Sequence, residues 1–230
     1  MLKSEIITVS GKNSLTNEDV TMVIEEKNFC FYGIADGQSR KTHCVDGAAA
    51  SLTAVAECLK TKGIEKLQQA RYFDETQYEL IKAIRRELEC QASKFDVNIA
   101  EFGSTLLCLA IDPMIGSYIL IHLGDGRAVG EGKDGIIRNL SRPENGVCLN
   151  QTWLTTSIDA VKHIRIYTGI IENYNQIIIM SDGADHLFQK ELRRINISGK
   201  PEKYGIGEIA SIIKREKPMD DSTCIIVKAC

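Results

Sequence analysis

Residues 29–37 read Phe-Cys-Phe-Tyr-Gly-Ile-Ala-Asp-Gly, and this stretch decides the fold around it. Apolar side chains occupy both alternating faces of its first seven residues, a pattern typical of a central strand that is covered on both sides. The strand ends in the carboxylate of Asp36, and Gly37 has no side chain that would block a ligand. We therefore predict that Asp36 is the pivot of a metal site.

The composition bounds the class of protein. A chain of 230 residues with 43% hydrophobic residues fits one domain with a sizeable core. Its formal net charge of -3 gives no reason to expect a nucleic-acid or membrane-surface partner. No apolar run approaches the roughly 20 residues that span a bilayer, and the N-terminus lacks the apolar stretch of a signal peptide. We expect a single cytoplasmic domain over residues 1–230.

The eight cysteines are expected to be reduced. No pair has the short spacing of a metal knuckle, and most lie inside apolar runs, where cysteine behaves as a small buried hydrophobe. Reduced thiols fit the cytosol.

The periodicity predicts an α+β fold. Two long helices are predicted over residues 47–62 and 74–92, with a short helix at 157–161 and a late one at 206–213. Strands are predicted over residues 6–9, 20–25, 29–35, 104–111, 117–123, 128–131, 135–139, 164–168, 176–180 and 223–227. Strands in local pairs, with the two long helices together, favour α+β over alternating βαβ units.

Acidic residues recur at the tips of these strands. They are Asp36, Asp125, Asp182, the pair Asp220-Asp221, and the loop Asn17-Glu18-Asp19. A single Asp-Gly pair is usually only a turn, but several carboxylates buried at one sheet end are costly unless cations neutralise them. Oxygen ligands without a His or Cys pattern favour Mg²⁺ or Mn²⁺ over zinc. Two such ions about 4 Å apart can bind one phosphoryl group and generate a hydroxide between them.

Six short motifs, in this order, resemble those of the metal-dependent protein phosphatases of the PPM/PP2C type. They are Asn17-Glu18-Asp19, Ala35-Asp36-Gly37, Gly103-Ser104-Thr105, Gly124-Asp125-Gly126-Arg127, Ser181-Asp182-Gly183 and Asp220-Asp221-Ser222-Thr223. Each motif is weak alone, but together they span nearly the whole chain. The resemblance implies a four-layer α-β-β-α sandwich, with two central antiparallel sheets flanked by helices and metals in a channel at one end.

The resemblance also implies which residues would hold two ions. Asp36 would bridge both ions, and the Gly37 carbonyl would bind the second. Asp182 and Asp220 would complete the shell of the first ion.

Three further acidic positions have less direct implied roles. Asp19, or Glu18 beside it, would hold the second ion directly or through water. Asp125 matches the family's weaker third-metal aspartate. Asp221 stands where the family usually has Asn, which implies a supporting role behind the ligands.

The implied reaction is hydrolysis of phosphoserine or phosphothreonine in a phosphorylated protein, by in-line attack of a metal-bridging water with no phosphoenzyme. By analogy the context is a serine/threonine kinase pathway, and the protein would be a monomer. The alternative is a degenerate phosphatase domain that binds a phosphoprotein or scaffold partner without turnover. Hydrolysis of a small phosphoester is a third possibility that the residues do not separate from the first.

The phosphate-holding part departs from the family. Ser14 stands where many bacterial relatives have an arginine, and nearby Lys12 offers a point charge but no bidentate fork. A longer loop follows Gly37, in which Arg40 or Lys41 could contact phosphate and His43 could act as a general acid. A solvated basic loop is the alternative interpretation.

The third-metal position also departs from the family. An acid often lies four residues after the Ser-Asp-Gly aspartate, but here that position is His186, with Asp185 one residue early. A third ion is therefore doubtful. The segment before this motif is too short for a long mobile flap, and within it Trp153 and His163 are interpreted as packing residues.

Overall fold

A computed structural model describes residues 2–12, 16–68, 73–146, 151–198, 207–216 and 218–229. Ser14, which replaces the family's arginine, lies outside the described residues, as do Cys148 and Cys230.

Strands and helices follow one another largely in the predicted order. In chain order they are β1 (Leu2–Val9), β2 (Asp19–Glu25), β3 (Cys30–Asp36), α1 (Cys44–Lys62), α2 (Ile64–Gln68), α3 (Asp74–Phe95), β4 (Leu106–Asp112), β5 (Ser117–Leu123), β6 (Arg127–Gly132), β7 (Ile137–Asn139), α4 (Ala160–His163), β8 (Arg165–Ile170), β9 (Tyr174–Met180), α5 (Asp182–Ser198), α6 (Gly207–Arg215) and β10 (Ser222–Ala229). Short 3₁₀ turns lie at Ile99–Phe102 and Ile171–Asn173.

The strands form two five-stranded antiparallel sheets. One has the order β1-β10-β9-β6-β7, and the other has the order β2-β3-β4-β5-β8. A core of side chains such as Tyr32, Leu109 and Ile179 fills the space between the sheets. A second core joins the β3 sheet to α1 and α3, and a third joins the β10 sheet to α5 and α6. The predicted sandwich, with helices outside two antiparallel sheets, is confirmed.

The β3 strand is buried on both faces, as its sequence predicts. Phe31 and Ala35 belong to the helix-side core, whereas Tyr32 and Ile34 belong to the core between the sheets. Hydrogen-bonded neighbours on both sides, β2 and β4, leave Asp36 at the end of a central strand.

Three helices differ from the prediction, and one of them is the short α2 (Ile64–Gln68), which was not predicted. The helix α5 was not predicted, because its first residues read as a strand tip followed by a turn. Gly183 lets this helix begin against β10, since a Cβ there would lie 2.1 Å from the Asp221 carbonyl oxygen. The short helix predicted at residues 157–161 instead spans Ala160–His163, after a turn in which the Ser157 hydroxyl accepts a hydrogen bond from the Leu154 amide.

The six described cysteines are all free, in agreement with the prediction of reduced thiols. Among the described residues, every helix is too short or too polar to cross a membrane.

His122 gives the fold a predicted sensitivity to acid. Its side chain lies buried between the sheets, Nε2 has no hydrogen-bond partner, and burial lowers its pKa to about 4. Because the unfolded chain binds this proton at about pH 6.5, the contribution of His122 to stability is present above that pH and is lost towards pH 4. The free energy of unfolding would be measured by urea titration in EDTA. As the pH falls over this range, we expect wild type to lose more of it than His122→Leu, by at most about 3 kcal/mol.

Wild type and His122→Leu contain the same acidic residues, so the difference between their pH dependences reports on His122. His186→Gln, which replaces an exposed histidine, is the control and should follow wild type. Parallel curves for wild type and His122→Leu would contradict the prediction.

Candidate metal centre

Carboxylates from both sheets meet at one end of the sandwich. Asp19 begins β2 and pairs directly with Asp36 at the end of β3. From the other sheet, Asp182 follows β9, Asp125 precedes β6 and Asp220 precedes β10. The antiparallel register of β9 with β6 and β10 places Met180 beside both Arg127 and Cys224. The three acidic tips therefore lie at the same end of this sheet. The structure thus brings together the five predicted carboxylates.

These carboxylates act on one another through a poorly solvated space. Burial, and then the negative charges of Asp19 and Asp182, raise the pKa of Asp36 well above its usual range. Burial, and then Asp125 and Asp220, raise the pKa of Asp182 to about 7. Burial is also the main cause that raises the pKa of Asp19 to about 6 and the pKa of Asp125 above its ordinary value. The electrostatic field at this end therefore favours a bound cation.

The Asp19 carboxylate is half satisfied. Its Oδ2 accepts a hydrogen bond from the Ser181 hydroxyl at 2.9 Å, whereas its buried Oδ1 has no partner. The same Ser181 oxygen accepts from the Thr223 amide at 3.0 Å, which joins the tips of β9 and β10 to Asp19. A buried carboxylate oxygen without a donor is available to a cation.

Asp36 and Gly37 are fixed by their backbones. The Asp36 amide donates to the Thr105 hydroxyl at 3.0 Å, and its carbonyl accepts from the Thr105 amide at 2.8 Å. Gly37 donates to the Glu18 carbonyl at 3.1 Å, and a Cβ at Gly37 would lie 2.9 Å from that of Cys44. The glycine therefore lets α1 approach the end of β3.

Asp221 supports the centre from behind. Its two carboxylate oxygens accept hydrogen bonds from the Gly11 and Glu18 amides, both at 2.7 Å. Glu18 contributes backbone groups here, and among the charged groups near Asp36 it is Asp19 that raises the pKa of Asp36 most.

Sequence reasoning gave no individual role to Ser181, Thr105 and Thr223, although all three lie in the quoted motifs. Their hydroxyl or amide groups hold the acidic tips. For Ser181 and Thr223 the signal is a position within two residues of an aspartate at a strand end, whereas Thr105 has no aspartate near it in the sequence.

The fit to a cation rests on donor chemistry. In the described part of the chain, no three His, Cys, Asp or Glu side chains are arranged closely enough to hold an ion as they stand. The converging groups are carboxylates, the hard oxygen donors that Mg²⁺ and Mn²⁺ accept. The unpartnered Asp19 oxygen and the mutual repulsion of the carboxylates both fit such a cation.

The loop after Gly37 lies against the helical layer. Lys41 pairs with Glu101 at 3.1 Å, so the structure gives this predicted phosphate contact a different partner. The His43 ring packs against Phe95 and Phe102, at centroid distances of 4.4 and 5.2 Å. Its Nδ1 lies 3.1 Å from Asp46, which leaves one ring nitrogen for the general-acid role considered above.

Two other predicted phosphate contacts, Lys12 and Arg40, are exposed. Arg40 adopts φ 67°, a left-handed conformation that is uncommon outside glycine. The Lys12 amide donates to the Pro218 carbonyl at 3.0 Å, which places Lys12 beside the segment that leads to Asp220.

The third-metal acid is engaged elsewhere. Asp185 accepts from Arg127 Nε at 2.6 Å and from Gln189 at 3.2 Å, while His186 is exposed. Asp185 is therefore paired within the protein, and the expectation that a third ion is doubtful stays a prediction.

A family profile for protein phosphatase 2C matches residues 10–199, which include five of the six motifs. The chain belongs to the protein phosphatase 2C family. This family consists of metal-dependent protein phosphatases. A comparison with curated proteins found no match.

Solved structures share the fold of this phosphatase over its whole length. Serine/threonine phosphatase Stp1 from Staphylococcus aureus is 16% identical, with a TM-score of 0.71 over 100% of this chain and 96% of that one. The S. agalactiae serine/threonine phosphatase is 14% identical, with a TM-score of 0.69 over 100% of both chains. RsbX, whose structure contains magnesium, is 14% identical, with a TM-score of 0.61 over 99% of this chain and 94% of that one.

Asp36→Asn is expected to stabilise the metal-free protein at pH 8. Burial and mutual repulsion raise the folded-state pKa of Asp19 to about 6, that of Asp182 to about 7, and that of Asp36 well above its usual range. The favourable contribution of these acids is therefore present at low pH and is lost as the pH rises through their folded-state pKa values. Removing one buried charge should raise the free energy of unfolding at pH 8 in EDTA by about 1 kcal/mol or more. The gain should shrink at pH 5, and a variant less stable than wild type at pH 8 would contradict this electrostatic account.

Asp221→Ala should destabilise the protein, since it leaves the buried Gly11 amide and the partly buried Glu18 amide without acceptors. We expect a loss of about 2 to 4 kcal/mol in urea unfolding, and a smaller loss for Asp221→Asn, which keeps one acceptor. Asp134→Asn, an exposed carboxylate paired with Arg138, provides the control. A loss in Asp221→Ala no larger than that of the control would show that these two hydrogen bonds contribute little.

Proposed function

We propose that this phosphatase is a metal-dependent protein serine/threonine phosphatase that uses two Mn²⁺ or Mg²⁺ ions. Its substrate would be a phosphorylated protein, and its context a serine/threonine kinase pathway. The observation that carries the proposal is the meeting of five carboxylates at one end of the two sheets, where burial and mutual repulsion favour a cation. Family membership supports the same reading.

The proposed ligands are residues of the acidic tips. Asp36 would bridge the two ions, with the Gly37 carbonyl on the second ion and Asp182 and Asp220 on the first. Asp19 would serve the second ion through its unpartnered Oδ1. Asp125, which acts electrostatically on both Asp36 and Asp182, would contribute charge beside them.

The cations, when bound, would offset charge on the phosphoryl oxygens and activate a water for in-line attack. The residues of the chain would orient this chemistry. Thr105 holds the backbone of Asp36, and Ser181 holds Asp19 against the β9 and β10 tips, so the carboxylates are fixed before substrate arrives. Arg40 and Lys12, both exposed, are proposed to meet the phosphate or the flanking peptide.

One observation favours the second candidate, a domain that binds a phosphoprotein without turnover. Lys41, a predicted phosphate contact in the loop after Gly37, is paired with Glu101. This pairing leaves one basic group fewer to hold the phosphate. The proposed phosphatase then depends on the cations and on exposed basic groups to hold phosphate. The retained acidic tips argue for turnover, because an inactive site would most readily lose them.

An activity assay tests the proposal. Purified protein would be incubated with p-nitrophenyl phosphate or a phosphothreonine peptide, with Mn²⁺, Mg²⁺ or EDTA. We expect hydrolysis with Mn²⁺ or Mg²⁺, none in EDTA, and a loss of about 100-fold or more in kcat for Asp36→Asn. Lys41→Met should change kcat/KM by less than about threefold if Lys41 stays with Glu101.

Asp134→Asn is the matched control for Asp36→Asn, since it also removes one carboxylate but lies in an exposed ion pair. Hydrolysis that persists in EDTA or in Asp36→Asn would refute the two-metal site. Calorimetric binding of Mn²⁺ and of a phosphopeptide without any hydrolysis would establish the second candidate instead. Hydrolysis of p-nitrophenyl phosphate but of no phosphoprotein would point to a small phosphoester.

A further inference from the structure

A cluster of four side chains lies beside the metal centre without belonging to it. The Glu144 carboxylate contacts His163 Nδ1 at 2.5 Å through Oε1, and Arg165 Nη2 at 3.0 Å through Oε2. The Trp153 ring stacks on His163, with centroids 3.6 Å apart and planes within 8°. The proposed phosphatase mechanism uses none of these groups.

Two arms of the segment between β7 and α4, residues 144–146 and 151–153, carry part of this cluster. Glu144 lies on the arm that precedes residue 147, and Trp153 lies on the arm that follows residue 150. The arms pair at Asn145 and Thr152, and the Gly146 amide donates to the Gln151 carbonyl at 2.6 Å. His163 and Arg165 lie where α4 ends and β8 begins, so the cluster fastens both arms to the edge of the β3 sheet.

Both arms also contact the turn that carries Asp125. The Glu144 amide donates to the Gly124 carbonyl at 2.8 Å. From the other arm, the Thr152 hydroxyl lies 3.5 Å from where a Cβ of Gly124 would be, and beside the Asp125 carboxylate. Gly124 has φ 114°, which a residue with a side chain rarely adopts, so the turn requires glycine, a residue with no side-chain contact of its own to hold it.

We propose that Glu144, His163, Arg165 and Trp153 form a clamp that positions the Gly124-Asp125 turn at the metal centre, with Glu144 as its central positioning residue. The side chain of Glu144 is anchored at the start of β8, and its backbone amide holds Gly124. His163 is shared by both arms, since it bonds Glu144 and stacks on Trp153. The part of the inference that concerns metal affinity rests on the proposed function.

The clamp predicts that removing the charge of Glu144 loosens the turn between β5 and β6. In Glu144→Gln, without metal, we expect hydrogen exchange of the peptide covering residues 124–127 to accelerate about threefold to fivefold. The emission of Trp153, the single tryptophan of the chain, should shift to longer wavelength as its stack on His163 loosens. The Kd for Mn²⁺, measured by calorimetry without substrate, should rise about twofold to fivefold.

Two further variants separate the clamp from a general loss of stability. His163→Phe keeps an aromatic ring for Trp153 but removes the bond to Glu144, so it should reproduce the faster exchange while the Trp153 emission stays near that of wild type. Asp159→Asn removes a carboxylate from the same segment, where it pairs with exposed Lys162, and should leave all three measurements unchanged. Near-UV circular dichroism would verify that each variant is folded.

The measurements distinguish failure of the clamp from failure of the proposed function. Equal exchange of residues 124–127 in Glu144→Gln and Asp159→Asn would overturn the clamp. Faster exchange with an unchanged Kd for Mn²⁺ would show that the turn does not influence the metal centre, which also overturns the proposal. If wild type binds no Mn²⁺, the proposed function fails, while the exchange data still decide whether the clamp holds the turn.

Discussion

Repulsion among buried carboxylates is the constraint on which the rest of the structure depends. Two strands of one sheet and three strand tips of the other deliver their acids to the same end of the sandwich. In a space of low effective dielectric, such charges oppose folding unless hydrogen-bond donors or cations compensate them. Much of the local architecture supplies that compensation while leaving the centre acidic.

The buried acids differ in how many hydrogen-bond donors the protein supplies to them, and this difference indicates their roles. Asp221 receives two backbone amides and Asp185 receives an arginine, so both are satisfied by the protein. Asp19 Oδ2 accepts a hydrogen bond from the Ser181 hydroxyl, whereas its buried Oδ1 has no partner. Acids that the protein satisfies have a structural role, whereas acids that it leaves unsatisfied, as at Asp19, are those that a cation would complete.

The sequence predicted the strand framework and the meeting of the acidic tips, because both depend on local patterns. A doubly apolar strand that ends in aspartate, such as β3, shows its burial and its tip directly. The sequence could not show which distant residue a polar side chain would contact. Lys41 pairs with Glu101 some sixty residues away, and His163 with Glu144 and Trp153 across a loop. The helix α5 was missed for a related reason, since the close approach of Gly183 to Asp221 is a tertiary contact.

The two halves of the proposed site are built on different principles. The acidic half lies on strand ends that are hydrogen-bonded to neighbouring strands, as Asp36 is to β2 and to Thr105, so its carboxylates have little freedom. Apart from Lys12, the basic half lies on the loop after Gly37, in which Lys41 and His43 are bound to the helical layer while Arg40 remains exposed. A rigid group can be specific for a small ion, whereas an exposed arginine on a loop can adapt to different phosphorylated segments. Differences from relatives in substrate choice are therefore expected to arise in this loop, and the capacity to hold cations is expected to depend on the strand ends.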